Sequence, residues 1–130
     1  MIKVVAGIII KKGKVLIARR ASHKSLPGKW EFPGGKIEID ETPEVALERE
    51  LFEEFRIKTK TGKYITTNVH DYGTFKIKLL AYFSEYIRGE FILTDHDQIK
   101  WVVIKELKFC DLADADIPII NELNKLNPQL

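Results

Sequence analysis

Apolar residues dominate the start of the chain. The segment Ile2–Ile10 is apolar and β-branched, which predicts a β-strand. Lysine and glycine at positions 12 and 13 predict a tight turn. A second strand is expected over Lys14–Ala18, where apolar residues resume. These two segments therefore predict an N-terminal β-hairpin.

The pattern becomes polar after this hairpin. Positions 22–29 contain a Pro-Gly pair and few apolar residues, which predicts a loop. The triplet Trp-Glu-Phe at 30–32 alternates between apolar and polar residues. Proline and two glycines at 33–35 follow it, and this combination predicts an interruption of regular structure.

A helical period appears in the middle of the chain. Thr42 is a suitable N-cap, and the residue after it is a proline, which favours the first helical position. The helix is expected over Pro43–Phe55. Leu47, Leu51 and Phe55 lie four residues apart, so they predict the core-facing side, with Val45 and Phe52 beside them.

The second half of the chain predicts more strands and one helix. Lys60–Val69, Thr74–Tyr86 and Ile99–Ile104 have the composition of strands. A helix over Pro118–Leu126 has an apolar stripe made by Ile119, Ile120, Leu123 and Leu126. Strands before and after a central helix predict an α+β or mixed α/β sandwich, and the length predicts a single domain over residues 1–130.

Composition and charge narrow the classes of function. The 130 residues carry a net charge of +2, too small to argue for a general nucleic-acid or membrane surface. The single cysteine, Cys110, excludes an intramolecular disulfide and agrees with a reducing compartment. The apolar N-terminus is too short to cross a bilayer and lacks the cleavage site of a signal peptide. A soluble cytoplasmic protein is therefore expected.

Acidic residues are concentrated in one region, because nine of the nineteen lie between positions 31 and 57. Glu50, Glu53 and Glu54 occur at i, i+3 and i+4 of the predicted helix, so they share one face. Like charges at this spacing repel one another. A hard divalent cation resolves the repulsion, because oxygen ligands suit Mg²⁺ or Mn²⁺.

The spacing around these glutamates resembles the Nudix box. Gly35, Glu41 and the run Arg49-Glu50-Leu51-x-Glu53-Glu54 match it over 23 residues. The alternative is an ordinary acidic amphipathic helix that matches by chance. One position departs from the pattern: Arg56 stands where the family usually has glycine. That glycine is expected in a left-handed conformation, so either arginine carries strain of about 1 kcal/mol there or the helix ends in a different way.

The resemblance implies a Nudix fold, with a mixed β-sheet sandwiched between helices, and it implies roles for residues of the box. Glu50, Glu53 and Glu54 match the family's metal ligands, and the carbonyl of Gly34 matches a further one. Arg49 is expected to orient Glu50 or its neighbours. Gly35 and Glu41 are expected to support the loop before the helix, although Glu41 could also be a simple solvated acid.

Further motifs are similar to the MutT-type branch of Nudix hydrolases, and most similar to its pyrimidine- and CTP-preferring members. They are Arg-Arg at 19–20, WEFPGGK at 30–36, Trp101 and ADADIP at 113–118. In this branch Asp116 takes the place of a base-recognising side chain, and a carboxylate can accept from the N4 amino group of cytosine. A protonated Asp116 could serve an oxidised purine instead. The structural alternative is that Asp116 caps the last helix.

Other substrate contacts are expected on chemical grounds. Arg20 and Lys36 are candidates for phosphate contact, with an ordinary surface lysine as the alternative for Lys36. Phe32 and Tyr72 are candidates for stacking on a base, with packing as the alternative. Asp95 stands where related enzymes carry a glutamate that helps with metal binding or base catalysis, and it is one methylene shorter. His96 is expected to be solvated or structural.

These expectations combine into one functional hypothesis. The chain is predicted to be a Mg²⁺-dependent (or Mn²⁺-dependent) nucleoside triphosphate pyrophosphohydrolase that releases a nucleoside monophosphate and pyrophosphate. Glu50, Glu53, Glu54 and Asp95 are the catalytic candidates. The expected purpose is nucleotide pool sanitation, which prevents DNA damage, and the expected partner is a small nucleotide rather than a nucleic-acid polymer or a membrane. Alternatives are hydrolysis of another nucleoside diphosphate derivative, or nucleotide binding without catalysis. Whether the protein is a monomer or a homodimer is left open.

Overall fold

The computed structural model describes all 130 residues. Eight strands and two α-helices make up most of the chain. In order they are β1 (Ile2–Ile8), β2 (Ile10–Lys11), β3 (Lys14–Arg20), β4 (Trp30–Glu31), β5 (Gly34–Lys36), α1 (Pro43–Phe55), β6 (Lys58–Asp71), β7 (Lys76–Arg88), β8 (His96–Val103) and α2 (Ile117–Leu126). Three short 3-10 helices lie at Ile104–Phe109, Asp114–Asp116 and Asn127–Gln129.

The strands form two sheets of four. The first sheet has the order β5-β1-β7-β6, and it is mixed because β1 runs parallel to β7 while the other pairs are antiparallel. The second sheet is antiparallel, with β3 paired to β2, β4 and β8. Ile9 separates β1 from β2, so the predicted strand Ile2–Ile10 passes from one sheet to the other. The predicted hairpin is therefore limited to Ile10–Lys11 and β3.

Both faces of the central strands are buried, which explains the nearly continuous apolar runs in β1 and β3. Val5 on β1 and Leu16 on β3 pack in a cluster with α1, whereas Ala6 and Ile17 pack in a second cluster with α2. Layers of helix therefore cover the strands on two sides. The predicted α+β architecture, with strands sandwiched between helices, is confirmed, although the strands are divided between two sheets.

The bounds of α1 agree with the prediction. Thr42 caps the helix and accepts a hydrogen bond from the backbone N–H of Val45 at 3.2 Å. The prediction for Val45 and Phe52 was wrong, because they are 55% and 53% exposed. At about 100° per residue they lie on the side of the helix opposite Leu47, whereas Glu54, seven residues after Leu47, lies on the same side.

The prediction of an irregular segment at 33–35 was also wrong in part. Gly34–Lys36 forms β5, which pairs with β1 as the edge strand of the first sheet. A Cβ at Gly34 would collide with the backbone oxygen of Val5, so the pairing requires glycine. Neither α-helix has the length and apolar composition needed to cross a bilayer.

Candidate active site

A cavity of about 730 Å³ is lined by residues of both sheets, including β5, and by residues of α1. One end is apolar and is formed by side chains of β1 and β7, including Val4, Ala6 and Leu79. The other end is acidic and is formed mainly by α1. Seven acidic and three basic residues line the whole cavity: Glu31, Glu38, Glu50, Glu53, Glu54, Asp95 and Asp116, against Arg20, Lys24 and Lys36. A polyanion therefore needs additional cations to enter.

Arg49 connects the residues of the acidic end. It donates to both carboxylate oxygens of Glu41 at 2.7 and 2.8 Å, to Glu50 at 2.9 Å and to Glu53 at 3.2 Å. It also donates to the backbone oxygen of Lys36 at 3.0 Å. One guanidinium thus joins the loop before α1 to the carboxylates on the helix, which is the orienting position expected for it.

Glu41 lies between this guanidinium and the loop. Its Oε1 also accepts from the backbone N–H of Glu38 at 2.9 Å. The hydrogen bonds from Arg49 and then from Glu38 lower the pKa of Glu41 to about 2. The geometry thus favours the supporting role over that of a simple solvated acid.

Glu50 packs directly against β5. A Cβ on Gly35 would overlap the carboxylate of Glu50, so glycine at this position gives the carboxylate its space. Burial raises the pKa of Glu50, although its contact with Arg49 opposes the change. Glu53 is one turn further along and is 56% exposed at the mouth of the cavity.

Glu54 is the most buried of the three helix carboxylates. Its Oε2 is buried and has no hydrogen-bond partner. Burial, followed by the proximity of Asp95 and Glu50, raises the pKa of Glu54 to about 9. Burial also opposes ionisation of Asp95, but the proton held by Glu54 and the ammonium of Lys24, 3.7 Å away, outweigh it and lower the pKa of Asp95.

The acidic end fits a divalent cation. A buried carboxylate oxygen without a donor must either hold a proton or meet a positive charge. Glu54 meets this description, and Glu50, Glu53 and Gly34 line the same cavity. The carboxylates do not converge on a common point, because Arg49 holds Glu50 and Glu53 instead. A cation that binds here would have to displace the guanidinium of Arg49 from Glu50 and Glu53, and the proton from Glu54.

Asp116 lies at the opposite end of the cavity. It is only 7% exposed, and its Oδ2 accepts from the backbone N–H of Phe32 at 2.9 Å. Asp116 stands at the N-cap position of α2, but no hydrogen bond joins its side chain to the helix, so the side chain does not cap α2 as the structural alternative expected. Burial, followed by the charge of Glu31, raises the pKa of Asp116 well above its usual range.

The segment that carries Asp116 is fastened to β4. Trp30 accepts from the backbone N–H of Ala113 at 2.9 Å and donates to the backbone oxygen of Asp111 at 2.9 Å. The hydroxyl of Tyr72 accepts from the backbone N–H of Ala115 at 2.9 Å. These bonds fix the depth to which Asp116 enters the cavity.

The two aromatic candidates both border this end. Phe32 is 2% exposed and belongs to the core, as the packing alternative expected. Tyr72 stands between the rings of His70 and Phe75, with ring centroids 4.5 and 5.2 Å away. Burial raises the pKa of Tyr72, and its hydroxyl is occupied by Ala115. Tyr72 is half-buried and Phe32 is buried, so of the two only Tyr72 keeps some exposed surface beside the cavity.

Arg20 and Lys36 line the cavity in different ways. Lys36 is exposed at its acidic end. The side chain of Arg20 is 18% exposed, and its NH1 donates to both oxygens of Glu31 at 3.1 and 3.2 Å. Its other hydrogen bonds go to the backbone oxygen and hydroxyl of Ser25. Arg20 is therefore a paired cation rather than a free one.

Three cavity or wall residues were not identified from the sequence as site residues. Glu31 accepts from Arg20 and lies 2.7 Å from Nε2 of His96, whose side chain is 1% exposed. Lys24 reaches Asp95 from the loop after β3. An acidic residue inside the short apolar segment at 30–32 was the available signal for Glu31. Nothing in the sequence distinguishes Lys24 from its neighbours.

Several known proteins are similar to this chain in sequence and in fold. A family model described as NUDIX domain matches residues 1–123. A CTP pyrophosphohydrolase of Escherichia coli K12 is 38% identical over 92% of this chain and 89% of its own length. An 8-oxo-dGTP diphosphatase of Buchnera aphidicola is 32% identical over 95% and 93% of the two chains. The solution structure of the E. coli ORF135 protein superimposes with a TM-score of 0.87 at 35% identity, covering 99% and 92%.

Proposed function

The chain belongs to the Nudix hydrolases, and from that premise we propose that it is a Mg²⁺-dependent nucleoside triphosphate pyrophosphohydrolase. The observation that carries the proposal is the division of one cavity into two ends. Carboxylates of α1 line one end, and apolar strands with a buried Asp116 line the other. A triphosphate bound to cations suits the first end, and a nucleobase suits the second.

The preferred substrate class in this proposal is a cytosine nucleotide or an oxidised purine nucleotide. Two relatives carry names for these activities, CTP pyrophosphohydrolase and 8-oxo-dGTP diphosphatase. Ionised Asp116 accepts from the N4 amino group of cytosine, whereas the protonated form that its raised pKa favours can also donate. The cellular role would be the removal of modified nucleotides from the pool.

The acidic end supplies the chemistry of the proposed reaction. Glu50, Glu53, Glu54 and the carbonyl of Gly34 would hold the cation, which neutralises the triphosphate and acidifies a water when bound. Glu50, which lines the cavity with a side chain only 14% exposed, is the first candidate to accept the proton of the attacking water. Asp95 is the second candidate. Lys36 would contact a phosphate at the exposed rim.

A nucleotide panel tests the function. The protein is incubated with Mg²⁺ and CTP, dCTP, 5-methyl-dCTP, dGTP or 8-oxo-dGTP, and products are separated by ion-exchange chromatography. We expect a monophosphate and pyrophosphate from one subset, and no products when EDTA replaces Mg²⁺. Hydrolysis in oxygen-18 water places the label in pyrophosphate if the β phosphorus is attacked. Turnover of dinucleoside polyphosphates or nucleotide sugars, with no triphosphate hydrolysed, would contradict the proposal.

A further inference from the structure

The wall between the two ends of the cavity contains a buried polar network around Glu31. Its carboxylate, on β4, accepts from Arg20 of β3 and from His96 of β8. Glu31 and Arg20 have side-chain exposures of 17% and 18%, and His96 is buried at 1%. The ring of His96 stacks on Phe55 with centroids 4.9 Å apart. The network is therefore held on several sides by secondary structure.

The geometry fixes the roles of these groups. An ionised carboxylate only accepts, so Nε2 of His96 carries the hydrogen and donates it to Glu31. Arg20 has five N–H donors. Ser25 accepts from Nε and NH2, and the two oxygens of Glu31 accept from NH1. The second N–H of NH2 therefore has no partner within the protein.

The charge of the pair decides which ligand atom suits that free donor. The carboxylate of Glu31 lies against the guanidinium of Arg20, so the pair adds almost no net charge to the cavity. A phosphate is bound best by a cation that is not already compensated. A donor whose charge is already compensated instead suits a carbonyl oxygen or ring nitrogen on the edge of a base. Glu31 directly precedes Phe32, whose backbone N–H bonds Asp116, and Arg20 and Glu31 line the same cavity, so the pair lies next to the end that contains Asp116.

We propose that Glu31 is a positioning residue that holds Arg20 as a reader of the nucleobase rather than as a phosphate ligand. This inference rests on the proposed function, because it assumes that a nucleotide occupies the cavity. If Asp116 accepts from the amino group of a base, Arg20 would donate to the acceptor beside that group on the same edge of the base. Cytosine carries such a donor and acceptor side by side. Glu31 acts through Arg20 and need not touch the substrate.

Separate probes for the base and the phosphates test the assignment. Binding of CMP, of 8-oxo-dGMP and of inorganic tripolyphosphate with Mg²⁺ is measured by calorimetry on the wild type and on Glu31→Gln. We expect the tighter-binding monophosphate to lose at least tenfold in affinity. Tripolyphosphate affinity should stay within twofold or increase, because the substitution leaves the charge of Arg20 uncompensated. A loss of tripolyphosphate affinity, or no change with any probe, would overturn the assignment.

The adjacent arginine offers a matched control. Arg19 donates to Asp97 at 2.7 Å from the same strand pair, but outside the cavity. Asp97→Asn should leave the affinity for all three probes unchanged. Arg20→Lys provides a second variant if Glu31→Gln does not fold, and it should weaken monophosphate binding while retaining tripolyphosphate binding. These are binding measurements at equilibrium, so they test this inference independently of whether the protein hydrolyses any triphosphate. If neither monophosphate binds the wild type, the assignment of Arg20 as a reader of the base is refuted.

Discussion

The two ends of the cavity are built in different ways. The acidic end comes from one continuous segment, in which Glu41, Arg49 and the three glutamates of α1 lie within fourteen residues of one another. The base end joins Phe32, Tyr72 and Asp116, which are far apart along the chain. The acidic end keeps its geometry through helix spacing and the contacts of Arg49 with the preceding loop, whereas the second end depends on contacts between distant segments. Under the proposed function, catalysis and base preference should therefore respond to different substitutions.

The largest expected effect separates catalysis from base preference. Glu53→Gln keeps the shape of the side chain but removes a charge at the acidic end. We expect kcat/KM to fall by about 100-fold or more for every nucleotide, because charge stabilisation is usually the largest contribution to catalysis. The ratio of rates between nucleotides should not change. Steady-state kinetics across the panel and a titration with Mg²⁺ measure both quantities.

Glu44→Gln is the control for that variant. Glu44 is an exposed first-turn acid on α1 and does not line the cavity. Its kinetics should equal those of the wild type. Full turnover by Glu53→Gln with an unchanged Mg²⁺ requirement would refute the metal assignment.

The converse substitution is at the base end. Asp116→Asn keeps an acceptor for the N–H of Phe32 but cannot ionise. We expect the preference among bases to change by about 10- to 100-fold, the range for one good pair of contacts to a base edge. The Mg²⁺ dependence should stay the same. Asp114→Asn, at an exposed neighbour outside the cavity, should have no effect, and an unchanged preference in Asp116→Asn would show that Asp116 does not read the base.

The pH dependence of cation binding tests the acidic end alone. Burial raises the pKa of Glu54 to about 9, so a cation must displace its proton below that pH. Mg²⁺ affinity should increase by up to about tenfold per pH unit as the pH rises towards 9, with one proton released. Calorimetry in buffers of different ionisation enthalpy measures both. A pH-independent affinity between pH 6 and 8 would contradict the raised pKa.

The free energy of unfolding of the metal-free protein should fall as the pH rises, whereas its affinity for Mg²⁺ should increase. The folded state holds the proton on Glu54 up to a pH of about 9, whereas the unfolded chain releases it near the ordinary value of 4.5. The free energy of unfolding contributed by this group is therefore lost as the pH rises through that window. Urea denaturation should show the loss in the wild type and a flatter profile in Glu54→Gln.

The smallest expected effect lies at the end of α1, outside both parts of the cavity. Arg56 has φ 59° and ψ 28°, the left-handed conformation expected at this position. Arg56→Gly should raise the free energy of unfolding by less than about 1 kcal/mol, because relief of strain exceeds the lost contact with the ring of Phe52, 5.5 Å away. Arg56→Ala loses the contact without relief. A glycine variant less stable than the alanine variant would contradict this explanation.

Local patterns predicted much of the fold. The helix Pro43–Phe55 and its cap at Thr42 follow from short-range rules, and the structure agrees. The left-handed residue after the helix was expected from the resemblance to the Nudix box, and the structure also has it. The passage from β1 to β2 at Ile9 was not predicted, because an apolar strand looks the same whichever sheet it joins. Strand β5 was missed because its glycines are required by the backbone of β1, which is distant in sequence.

The sequence by itself determined the acidic end of this protein. The spacing of Glu50, Glu53 and Glu54 on one helix is enough to bring their carboxylates to one side. Three features were decided only by the tertiary structure. Oε2 of Glu54 is buried without a hydrogen-bond partner, and the side chain of Asp116 bonds the backbone of Phe32 rather than α2. The charge of Arg20 is compensated by Glu31. The physical reason is that burial and charge compensation depend on neighbours from other strands, and residue spacing along one element does not specify them.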